Sequence, residues 1–87
     1  MLTFGSDPEF MLTKECQYYS AIGIIQGTTE KRIKQDGHEF YWDNVMAECA
    51  VRPGKSIADA VESIRECMRI YADMVRPYQL TVQASQN

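Results

Sequence analysis

The chain has 87 residues, 45% of them apolar and 24% charged, with twelve acidic and nine basic residues and a net charge of −3. That length holds one domain with one modest core, and the apolar content argues against disorder. The densest basic stretch is Glu30-Lys31-Arg32-Ile33-Lys34, too short to make the broad positive surface that direct nucleic-acid binding requires.

Residues 2–13 read as a strand interrupted at Gly5 and Pro8, because proline cannot donate to a ladder. Thr13-Lys14-Glu15-Cys16 is a turn, and residues 17–25 form a second strand carrying Ile22, Ile24 and Ile25. Residues 26–37 read as a polar loop closed by the turn dipeptide Asp36-Gly37. Residues 38–51 resume strand character. As one regular strand they put Phe40, Trp42, Asn44, Met46 and Glu48 on one face, and Tyr41, Asp43, Val45, Ala47 and Cys49 on the other. Neither face is apolar throughout, which points to a bulge near Asp43-Asn44.

The clearest element is a helix. Ser56 is its N-cap, Asp59 stands at the third helical position, and Pro77 stops it. Ile57, Ala60, Val61, Ile64, Cys67, Met68, Tyr71, Met74 and Val75 recur at helical spacing. Glu62, Arg65, Glu66, Arg69 and Asp73 take the opposite face, with opposite charges three or four apart. Tyr78 to Ala84 alternates as a final strand. The order β-β-β-α-β predicts an α+β domain over residues 1–87, a small mainly antiparallel sheet of about four strands with one long amphipathic helix on one face.

Several residues carry candidate chemistry. Asp7 and Glu9 lie two apart on a strand and point the same way, and Glu48 lies on a second acidic strand. Hard cations take such oxygens and keep waters and phosphates. Glu9 reads equally well as a solvent-facing edge residue, and Asp7 as a turn-former before Pro8. His38 is the lone histidine and reads as solvated at a strand start. Gly27-Thr28-Thr29-Glu30-Lys31 lacks P-loop spacing, yet its hydroxyls and bases could touch a phosphate. Tyr19 and Tyr41, if they lie on the exposed face, are natural binding anchors, and Arg32 is a further exposed binding candidate. Cys16, Cys49 and Cys67 are odd in number and lack CxxC spacing, which speaks against a disulfide framework or structural zinc. With no leader pattern and no apolar run of about twenty residues, the expected compartment is the cytoplasm.

Gly5-x-Asp7-Pro8-Glu9-Phe10, Gly27-Thr28 with a following base, and Asp43-Asn44-Val45-x-x-Glu48 with Pro53 beyond together resemble a known family. They look like the N-terminal part of phage-associated carboxylate–amine ligases related to glutamine synthetase. The resemblance runs from about Phe4 to Pro53, and the helix from Ser56 fits the next part of the chain in that family. It implies ATP and Mg2+ chemistry, with Glu9 and Glu48 as metal-binding carboxylates, Lys31 near phosphate, and Asp7 and Asn44 shaping the strands. The family's members are much longer, and Cys49-Ala50-Val51-Arg52 is more apolar than a polar site wants. A deep pocket for ATP, metal and two substrates is hard to build from one small sheet. The resemblance therefore implies a non-catalytic phage-type protein that binds a bacterial protein or complex in the host cytoplasm, such as CRISPR defence machinery, without ATP or Mg2+. The second reading is a fragment or subunit of the ATP- and Mg2+-dependent ligase. An open sheet edge also leaves room for a homodimer.

Overall fold

The computed structural model describes residues 4–6 and 8–82. It is an α+β domain. An antiparallel sheet is built from β1 (Phe4–Ser6), β2 (Glu9–Lys14), β3 (Gln17–Tyr19), β4 (Ile33–Gln35), β5 (His38–Asp43), β6 (Met46–Gly54) and β7 (Gln79–Thr81). One helix, α1 (Ile57–Met74), packs on it. The order along the sheet is β3-β2-β6-β5-β4, with β1 pairing the far half of β6 and β7 pairing β2.

The break expected near Pro8 separates β1 from β2, and both continue along β6. Pro8 needs no donor there, because its carbonyl instead accepts from the Cys49 N–H at 3.2 Å. The turn expected before residue 17 has Glu15 and Cys16 at φ 52° and 65°, the left-handed pair of a two-residue hairpin. The second strand is shorter than the expected 17–25. Beyond Tyr19 the Ser20 hydroxyl captures the Ile22 N–H, and the Ala21 carbonyl captures those of Ile24 and Ile25. Local hydrogen bonds replace the ladder there, while Ala21 and Ile25 still reach the core.

The expected polar loop 26–37 contains β4. Asp36 and Gly37, at φ 53° and 85°, fold it onto β5 in a tight hairpin. Residues 38–51 are two strands and not one. Asn44 adopts φ 55°, and a two-residue turn pairs Asp43 with Met46. The turn resets the alternation, which resolves the mixed faces seen in the sequence. Phe40, Trp42, Ala47, Cys49 and Val51 all join the core cluster, whereas Tyr41, Asp43, Met46 and Glu48 take the other face.

Helix α1 is capped as the sequence predicts. The Ser56 hydroxyl accepts from the Asp59 N–H at 3.1 Å, and the Asp59 carboxylate accepts from the Lys55 N–H at 2.9 Å. Ser63, Cys67 and Tyr71, four apart, form its buried line. Ile57, Val61 and Ile64, expected to share that buried face, are exposed instead, because they sit on its flank. The Tyr71 ring lies 4.7 Å from that of Phe40. Its hydroxyl donates to the Glu48 carbonyl at 2.9 Å, with the Tyr41 carbonyl at 3.2 Å. Burial pushes the Tyr71 hydroxyl far above its ordinary pKa, so it remains a donor. The expected last strand is shortened to β7, and residues 83–84 fall outside the described residues. Among the described residues no helix is long and apolar enough to cross a membrane.

The start of α1 lies directly against the end of β6. A Cβ at Gly54 would strike the backbone of Ala60 and Asp59. Gly54→Ala should therefore cost about 1–3 kcal/mol, read as a lower urea midpoint with an unchanged slope.

Candidate functional site: a carboxylate row on the open face of the sheet

The strand pairing brings the two acidic phrases together. Glu9 on β2 is directly opposite Glu48 on β6, and Glu48 is directly opposite Tyr41 on β5. The three side chains form a row across adjacent strands, on the face away from α1. Asp43 lies two residues from Tyr41 on the same face. Glu9 is exposed and Glu48 half-buried. Burial raises the Glu48 carboxyl above its ordinary pKa of 4.5. A hydrogen bond with Glu9 and the charges of Asp43 and Glu9 raise it further, and a hydrogen bond from Tyr41 opposes them.

Arg32 closes one end of the row. Its guanidinium lies 4.0 Å from the centre of the Tyr41 ring and is paired with Glu39 at 3.1 Å. Lys31 precedes it, exposed, on a turn held by the Thr28 N–H to the Lys31 carbonyl and the Lys31 N–H to the Thr28 hydroxyl, both at 3.0 Å.

Glu9, Glu48, Tyr41 and Arg32, each singled out from the sequence, therefore meet. Tyr41 is no exposed anchor, however. It is 5% exposed, because Arg32 covers its ring. Tyr19 belongs to the opposite face. It pairs with the buried Leu12 and packs edge-on against Tyr78 at 5.1 Å. Asp7 lies outside the described residues.

The donor set suits a hard cation in part. Two carboxylates on neighbouring strands could hold one hydrated divalent ion, with waters and phosphate oxygens completing the shell. Among the described residues no group of three His, Cys, Asp or Glu gathers to hold a metal. No family model, no curated protein and no solved structure matches this chain. The functional reading rests on the residues themselves.

The sequence misplaced His38. It is completely buried and not solvated. Its Nδ1 accepts from the Arg52 N–H at 2.9 Å, which fixes the other nitrogen, Nε2, as the donor to Glu66 at 2.8 Å. Glu66 also pairs with Arg52 at 3.3 Å. The alternation with Phe40 carried the missed signal, since it sets His38 on the core face beneath the helix. Cys49 and Cys67 are buried, as read, and a hydrogen bond from Cys49 holds the Cys67 thiol below its ordinary pKa. Cys16 is exposed.

Glu66 and Glu48 respond to pH with opposite sign. Hydrogen bonding from His38, then the charges of Arg52 and Arg69, hold Glu66 below 4.5. Its contribution to stability is complete above 4.5 and lost as pH falls through the lowered value. Urea melts should show that acid loss flattened in Glu66→Gln. Glu48 is raised, so its contribution is complete below 4.5 and lost as pH rises through the raised value. Glu48→Gln should stabilise the domain at neutral pH by less than about 1 kcal/mol.

Proposed function

We propose that this chain is a non-catalytic binding protein that presents the Glu9–Glu48 row and its Arg32 rim to a partner protein. The observation that carries this reading is the openness of the row. Both carboxylates stand on the sheet face away from α1, with Glu9 exposed and Glu48 half-buried. ATP-dependent ligation needs reactants enclosed away from water. Protein recognition instead favours exposed charge around a covered aromatic, and Arg32 over Tyr41 has that form. By the family resemblance the partner is a bacterial protein or complex, with CRISPR defence machinery the specific candidate. The site of action is then the bacterial cytoplasm.

The second reading is a fragment or subunit of a carboxylate–amine ligase. The raised Glu48 carboxyl beside Glu9 favours it, since a cation there would relieve the repulsion between the two.

The experiment is capture of a partner from bacterial lysate by the intact chain, with mass-spectrometric identification and then binding by the purified partner. Arg32→Ala should weaken that binding by about tenfold or more while circular dichroism shows the domain still folded. Magnesium with an ATP analogue should leave the melting temperature unchanged. A ligand at a hundred times its Kd would stabilise by about 2.7 kcal/mol, so a clear upward shift would favour the ligase reading and count against the binder.

A further inference from the structure

A second surface lies on the far side of the molecule, along the polar flank of α1. Arg65, Arg69 and Arg76 project from the helix and its end, and Arg52 approaches from β6. The acids of this flank are already engaged. Glu62 pairs with Arg65 at 3.3 Å, Asp73 with Arg76 at 3.3 Å, and Glu66 with His38 and Arg52. Among the described residues Arg69 forms no ion pair, although its charge is felt at Glu66.

Arg69 stands between two clefts. The larger, about 630 Å3, runs between the second half of α1 and the β4 end of the sheet. Arg69, Arg76 and the Asp73 carboxylate that pairs with Arg76 line it, with Gln35 across from them and Ile70, Ala72 and Met74 supplying apolar surface. The smaller, about 270 Å3, is walled by Arg52, Glu62, Arg65, Glu66 and Arg69.

We infer that this double cleft binds an acidic peptide segment of a protein partner, with Arg69 as its central contact. A planar guanidinium without a carboxylate of its own matches a side-chain carboxylate in two-point fashion. The apolar surface of Ile70, Ala72 and Met74 fits the methylenes of a glutamate, and Gln35 adds a neutral hydrogen-bonding group. The surface is distinct from the carboxylate row, which faces away from α1, and it stands or falls independently of that row.

The test uses the intact chain and a fluorescent, end-blocked hexaglutamate peptide, followed by anisotropy at low ionic strength. Saturable binding that weakens with added salt is expected. Arg69→Ala should weaken it by about tenfold, Arg69→Lys should recover part of the loss, and Lys14→Gln, on β2, should leave it unchanged. Circular dichroism would establish that each variant is folded. The proposal is overturned if hexaglutamate does not saturate, if hexaglutamine binds equally well, or if Lys14→Gln weakens binding as much as Arg69→Ala. It is also overturned if a thymidine oligonucleotide of equal charge binds more tightly, because the surface would then be a general polyanion site.

Discussion

The register of the β5–β6 hairpin governs this molecule. Asn44 at φ 55° starts a turn only two residues long, and the turn sets Asp43 against Met46. From there the pleat dictates the rest. Phe40, Trp42, Ala47, Cys49 and Val51 face the helix, while Tyr41 and Glu48 face away. A slip of one residue would drive Glu48 into the core and turn Cys49 toward solvent. The same register aligns β6 with β2, so that Glu48 meets Glu9. The acidic row is thus a consequence of how the core is packed.

The helix locks that register from the other side. The Tyr71 hydroxyl reaches past the Phe40 ring to backbone carbonyls on both β5 and β6. A slipped hairpin would leave a buried hydroxyl without its acceptors, which costs about 1–3 kcal/mol. His38 adds a polar joint at the other end of the hairpin, tied to β6 through the Arg52 N–H and to α1 through Glu66. Among the described residues only the Ser63 hydroxyl is buried without a hydrogen-bond partner. Most of the buried polar groups therefore add specificity without an orphaned donor.

The sequence made the helix, its Ser56 cap, the break at Pro8 and the Asp36-Gly37 turn legible, because each depends on neighbours in the chain. It hid what depends on distant partners. The mixed faces of residues 38–51 pointed to a bulge near Asp43-Asn44, where the left-handed Asn44 instead turns the chain back on itself. Ile57, Val61 and Ile64 recur at helical spacing, but they stand on the flank of the buried Ser63, Cys67 and Tyr71 line and are exposed. Glu9 and Glu48 were recognisable as candidates, but their adjacency needed the β2–β6 pairing. His38 looked solvated because its partners stand 14 and 28 residues away.

On the face away from α1 the fold presses two acidic strands together and leaves Glu9 exposed and Glu48 half-buried. Carboxyl-carbon NMR titration of Glu48, in the parent chain and in Glu9→Gln, measures that juxtaposition most directly. The Glu48 carboxyl is expected to titrate above 4.5 in the parent and to move down when Glu9 loses its charge. A Glu48 that titrates at or below 4.5 and ignores the substitution would contradict it.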